Sequence, residues 1–118
     1  MAFGTHHVHV KTRDPKKTMQ FYIENLGAKL LADQGDRGGR VSLHGLQLNI
    51  TPLIDTQKRE QHYGIEHIAV DTDDYAGTMA RFRAHGVRVL EELPPTHGRR
   101  VGFLEAPDGA QIEVIEKV

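Results

Sequence analysis

The sequence predicts an α+β chain made of two tandem modules, each a strand, a helix and then three strands (βαβββ). Three observations predict it. The first half of the chain repeats in the second. The apolar residues of most segments alternate with a period of two, as strands do. Each half also carries one apolar stripe of helical spacing that ends at a glycine.

The repeat runs through nearly the whole sequence. His7-Val8-His9-Val10 lies over His67-Ile68-Ala69-Val70 at an offset of 60, and Asp14 lies over Asp74 at the same offset. Leu26-Gly27-Ala28 matches His85-Gly86-Val87 at 59, and Gly39–Leu43 matches Arg99–Phe103 at 60. Gly45–Ile50 matches Gly109–Val114 at 64, which assigns a short insertion to the turn Ala106-Pro107-Asp108. Five matches in order at nearly constant spacing indicate a duplicated unit. The reading is a single domain over residues 1–118, with internal modules 5–55 and 64–118 joined by a polar linker, 56–63.

Each element follows from its residues. In 6–12, Val8 and Val10 share one face of a strand, and His7, His9 and Lys11 share the other. Asp14-Pro15 then opens a helix, because aspartate caps a helix N-terminus and proline suits the first helical position. Met19, Tyr22, Ile23 and Leu26 form its stripe and Gly27 stops it. Val41, Leu43, Leu46, Leu48 and Ile50 alternate in the following strands and are expected to face that helix. In the second half Tyr75, Met79 and Phe82 form the helical stripe and Gly86 the stop. Val101, Phe103, Ile112 and Val114 are expected to face the second helix.

Composition narrows the function. The 118 residues suffice for one domain with a core, and 38% hydrophobic with 26% charged residues is the balance of a globular chain. A net charge of −1 gives no support for nucleic-acid or anionic-membrane binding, and no apolar run is long enough to span a bilayer. There is no cysteine, which excludes disulfides, thiolate metal sites and a cysteine nucleophile, and it fits a cytoplasmic protein. The eight histidines stand out, because imidazole is the commonest neutral metal ligand and the main proton carrier near pH 7.

The face opposite the helices is the chemically distinctive one. Alternation assigns to it His7, His9, Arg40, Ser42, Gln47 and Asn49 from the first half, and His67, Ala69, Arg100, Gly102, Gln111 and Glu113 from the second. These polar residues are histidine, amide, carboxylate and arginine, and their positions recur with the repeat. If the halves pair about a pseudo-twofold axis, His7 and His67 become mates, as do Asn49 and Glu113. Two imidazoles and a carboxylate suit one divalent ion such as Zn, Ni, Co, Mn or Fe(II), with positions left open for substrate. His7, His67 and Glu113 are therefore the expected ligands, with Asn49 as a weaker fourth.

At these residues the sequence resembles the vicinal oxygen chelate superfamily, which includes glyoxalases, epimerases, bleomycin resistance proteins and extradiol dioxygenases. The motifs that carry it are His7-Val8 with Asp14, Phe21-Tyr22, Leu26-Gly27, His67-Ile68-Ala69-Val70 with Asp74, and Pro107-Asp108-Gly109 leading to Ile112-Glu113-Val114. The resemblance implies a cupped mixed sheet with the helices outside, one metal, and ligands at His7, His67 and Glu113. It also implies a homodimer and a small-molecule substrate. Asn49 departs from the glutamate that glyoxalases commonly carry there, although epimerase-type members carry an amide.

The resemblance points first to a metal-dependent isomerase or lyase of glyoxalase or epimerase type. Its substrate would be a small metabolite that chelates through oxygen. Glu113 is the expected base, and His9, two residues from His7, a second acid–base group. Arg40, Arg100, Gln47 and Gln111 are the expected substrate-binding residues, the arginines toward carboxylate or phosphate. The alternatives are an extradiol-type Fe(II) dioxygenase using His7, His67 and Glu113 alone, and a non-enzymatic drug- or metabolite-binding resistance protein.

Overall fold

The computed structural model describes residues 2–118 and contains eight strands and two α-helices. In chain order they are β1 (Phe3–Lys11), α1 (Pro15–Leu26), β2 (Lys29–Asp33), β3 (Gly39–Leu43), β4 (Leu46–Thr51), β5 (Gly64–Thr72), α2 (Tyr75–Ala84), β6 (Val89–Thr96), β7 (Arg99–Glu105) and β8 (Gln111–Glu116). The order strand, helix, three strands therefore occurs twice, in the α+β class that the sequence predicts. Two compact units result. One is residues 7–66, and the other is residues 67–118 together with the N-terminal segment up to His6. No helix among the described residues is long and apolar enough to cross a membrane.

In the first unit the strands are ordered β2-β3-β4-β1. β1 and β4 run parallel, with Val8 opposite Leu48 and Val10 opposite Ile50. β3 returns antiparallel to β4, with Val41 opposite Leu48. These side chains meet α1 in one core of Val10, Met19, Ala28, Val41, Leu48 and Ile50. Leu43 joins its rim, whereas Leu46, at the start of β4, stays 38% exposed. Leu26 is also exposed, and Ala28 fills the core beyond the helix end. Gly27 closes α1 in the left-handed conformation (φ 71°), where its missing Cβ removes the strain.

In the second unit the order is β5-β8-β7-β6. Tyr75, Met79, Leu104 and Val114 form the core, with Phe82 and Ile112 packed against it. One expectation fails here. Leu104, not Phe103, reaches α2, and a Cβ on Gly102 would touch Tyr75 Oη at 2.7 Å and Met79 Cε at 3.0 Å. Gly102 and Arg100 thus lie on the helix side, and Val101 and Phe103 on the other. The cause is the β6–β7 hairpin. β6 has eight residues where β2 has five, and its pairing with β7 is irregular at two points. Val41 pairs with Leu48, and Leu104 pairs with Ile112, so β7 stands at a repeat offset of 63 rather than 60. Most of the insertion therefore precedes β7 instead of lying at Ala106-Pro107-Asp108. An odd shift turns every side chain of a strand over.

Both helices are opened by the same device. The Asp14 carboxylate accepts the Lys17 backbone N–H (3.1 Å), and Asp74 accepts that of Gly77 (3.0 Å). Behind each cap two threonine hydroxyls meet, Thr12 with Thr18 at 2.6 Å and Thr72 with Thr78 at 2.8 Å. All of these positions stand 60 apart, so the duplication extends to hydrogen bonds that the sequence reading did not single out.

Candidate functional site

The first module supplies a polar sheet face. His7 and His9 are alternate residues of β1, so both point away from the core formed by Val8 and Val10. His7 is buried, at 4% exposure. Its ring centroid is 6.0 Å from that of His9, and a nitrogen of each ring lies within 4.8 Å of one on the other. His9 pairs in register with Asn49, and Asn49 with Arg40, so these three stand in a row across β1, β4 and β3. His9 Nε2 is held at 2.8 Å by the Thr51 hydroxyl. Asn49 Oδ1 accepts from Gln47 Nε2 at 2.8 Å, which fixes the amide plane and leaves its oxygen a second lone pair. Arg40 is exposed.

The same face continues to Lys11, which is only 1% exposed. Its Nζ donates to Gln57 Oε1 (3.2 Å) and Gln61 Oε1 (3.0 Å). Nearby, Glu66 is buried and meets Arg59 at 3.5 Å. A buried ammonium or carboxylate survives only with such partners. The glutamines of 56–63, legible in the sequence merely as polar linker, are these partners.

The second module joins an imidazole to a carboxylate. His67, on β5, is 4% exposed, and its Nε2 lies 3.0 Å from Glu113 Oε1 on β8. The parallel register brings this about, with His67 opposite Gln111 and Ala69 opposite Glu113. Phe103 packs edge-on against the imidazole, centroids 5.4 Å apart at 87°. This aromatic neighbour follows from the inverted face of β7, where Phe103 stands opposite Glu113.

Arg100 does not share that face. Its Nε and Nη2 bond the two oxygens of Glu116 at 3.2 and 2.7 Å, and its guanidinium lies 5.0 Å over the Tyr75 ring. The pairing raises the arginine further above its ordinary pKa and holds Glu116 below the usual carboxylate range. The expectation that Arg100 shares a sheet face with Gln111 and Glu113 is corrected accordingly. Its fork is occupied by Glu116 on the helix side of the sheet.

The architecture agrees with comparisons to known proteins. The model of the Glyoxalase/Bleomycin resistance protein/Dioxygenase superfamily matches residues 4–114. The chain belongs to that superfamily. A probable lactoylglutathione lyase of Synechocystis is 31% identical over 93% of this chain and 92% of its own length. A lactoylglutathione lyase of Neisseria meningitidis is 32% identical over 94% of this chain and 88% of its own. Among solved structures, methylmalonyl-CoA epimerase from Mycobacterium tuberculosis superposes with a TM-score of 0.74 at 23% identity, covering 98% of this chain and 88% of that one. A hypothetical protein from Bacillus halodurans reaches 0.78 at 22% identity, covering 100% and 96%. At those identities the structural likeness speaks for the fold.

Proposed function

We propose that this chain is a divalent-metal-dependent isomerase or lyase that moves a proton on a small substrate bound through two oxygens. The kinship with lactoylglutathione lyases over nearly the full length of both chains supports the reaction class. The observation that carries the metal reading is the His67–Glu113 pair. An imidazole nitrogen and a carboxylate oxygen held within hydrogen-bond distance of each other would be two of the residues that hold such an ion. His67 Nε2 and Glu113 Oε1 are separated by 3.0 Å. The donor types also fit a borderline ion such as Zn, Ni, Co, Mn or Fe(II). In this reading His7 supplies the second imidazole and Asn49 an amide oxygen.

When bound, the ion supplies Lewis-acid stabilisation of negative charge developing on a substrate oxygen. The protein's own groups divide the remaining work. Glu113 takes the proton from the carbon beside the substrate carbonyl and returns it to the product carbon, which balances an isomerisation without a co-reactant. His9, its ring held by Thr51, exchanges a proton with the substrate oxygen. Gln47 keeps the Asn49 amide in place. Phe103 shields one edge of His67 from water. Arg40 and Gln111 contact the substrate's polar end. A homodimer is the proposed assembly, read by light scattering after gel filtration.

The test pairs metal analysis with proton exchange. Protein dialysed against each candidate ion should retain one per chain, and His67→Ala should retain none. The loaded protein should exchange solvent deuterium into either the hemithioacetal of a 2-oxoaldehyde or a 2-acyl thioester, and Glu113→Gln should abolish it. Equal metal content in His67→Ala, or exchange that survives Glu113→Gln, would defeat the assignment.

A further inference from the structure

A second concave surface lies in the first module, where β1 turns into α1 through Thr12-Arg13-Asp14. Two shallow, open depressions with about 410 and 290 Å³ of space adjoin there and share Thr12, Arg13 and Thr18. The larger extends along α1 past Lys17, Phe21 and Tyr22. The smaller extends toward Tyr63. None of these residues takes part in the chemistry assigned above.

Three features of the lining point to one kind of ligand. The first is charge. Arg13 and Lys17 bring two cations, and among the described residues neither stands in an ion pair. The one acid of the lining, Asp14, accepts the Lys17 backbone N–H at its Oδ1 at 3.1 Å. The second is exposed aromatic surface. Phe21 is 54% exposed and meets Tyr22 edge-on, centroids 5.6 Å apart. Phe21 follows Lys17 by four residues, so ring and ammonium project from the same face of α1. The third is an existing stack. The Arg13 guanidinium lies 4.1 Å from the centroid of Tyr63, itself 41% exposed. The contact keeps the guanidinium over the ring while its N–H groups remain available as donors.

Cations alone would be served by inorganic phosphate, and aromatic faces alone by any flat apolar ring. Their conjunction in one cleft selects a molecule that carries both. We propose that this cleft binds a nucleoside phosphate, its base against Phe21 and Tyr22 and its phosphate between Lys17 and Arg13. Base–aromatic stacking and charge-assisted hydrogen bonds are each strong enough for their loss to be measured singly.

The test is a calorimetric titration of the full-length protein with AMP at low ionic strength. AMP should bind saturably, and adenosine and inorganic phosphate should each bind at least about tenfold more weakly, because each lacks one half of the recognition. Phe21→Ser and Lys17→Gln should each weaken AMP at least about fivefold. Both side chains are exposed, so the melting curves should be unchanged, and a variant that melts lower is replaced by Phe21→Leu or Lys17→Met in the same titration. Because the readout is binding, it is independent of turnover at the metal residues. No saturable AMP binding, phosphate binding equal to AMP, or AMP affinity indifferent to both substitutions would overturn the proposal.

Discussion

Tyr75, Glu92 and Arg83 form a small charged cluster at the edge of the second core. Tyr75 Oη donates to Glu92 Oε1 at 2.9 Å, and Arg83 donates to its other oxygen at 2.6 Å. The arginine, and then the tyrosine, hold the Glu92 carboxyl below its ordinary 4.5. A carboxylate with a lowered folded pKa contributes stability above its unfolded pKa and loses it as pH falls through the folded value. Glu92→Gln should therefore flatten the fall in melting temperature between about pH 5 and pH 3, by no more than ~4 °C because the side chain is partly solvated. Tyr75 behaves in the opposite sense. Burial, and then Glu92, push its phenol far above the usual value of 10.0. Its contribution is complete below the unfolded pKa and is lost as pH rises beyond it. The protein should lose melting temperature above about pH 10, and Tyr75→Phe should lose less. At this scale the sequence was a partial guide. His67 and Glu113 were legible as residues of one sheet face because the repeat laid His67 over His7 and Glu113 over Asn49. Phe103 beside His67, and Lys11 under the glutamines, were not, because a strand pattern does not say which side chains from elsewhere in the chain will close over it.

At the scale of elements, the sequence was legible wherever the pattern was local. Alternation marked the strands, and the Asp14-Pro15 opening and the Gly27 stop marked α1. The phase of β7 failed, because it depends on the length and irregularity of the β6–β7 hairpin, which repeat matching cannot see. Two glycines mark the consequences for packing. A Cβ on Gly39 would run into the Ala32 carbonyl and stand 2.8 Å from Met19 Sδ, so backbone would have to move. On Gly102 it would meet only the ends of Tyr75 and Met79. Gly39→Ala should destabilise by about 3 kcal/mol and Gly102→Ala by about 1 kcal/mol, read as shifts in urea midpoint at constant slope. The threonine clasps should also be separable. Thr72→Val strands the buried Thr78 hydroxyl from this partner and should cost about 1–2 kcal/mol. Thr12→Val, in a less buried clasp, should cost less in the same urea experiment.

At the scale of the whole molecule, the proposed metal binding is a matter of stability. The resulting prediction is thermodynamic. An ion that binds only the folded chain stabilises it by about 2.7 kcal/mol at a free concentration of 100 times its Kd. For a chain of this size that is a rise of very roughly 10 °C in melting temperature. Scanning calorimetry should show this in the wild type, and neither His67→Ala nor His7→Ala should reproduce it. An unchanged melting temperature with saturating ion would count against binding to the folded state. The repeat itself was readable because duplication leaves matched residues at a fixed spacing. The grouping of the first residues with 67–118 was not, since nothing in Phe3-Gly4-Thr5-His6 names a partner so distant in the chain.

That grouping bears on how the chain is made. Ala2 and Asp73 exchange two hydrogen bonds: the Ala2 N–H donates to Asp73 Oδ1 at 2.8 Å, and the Asp73 N–H donates to the Ala2 carbonyl at 3.3 Å. The unit of residues 7–66 is drawn from one continuous stretch and can assemble while the ribosome is still adding the rest. The other unit needs one segment made before that stretch and one made after it. Its first strand segment must wait, unpaired, for Asp73 to emerge. Synthesis thus imposes an order on two halves that descend from one ancestor.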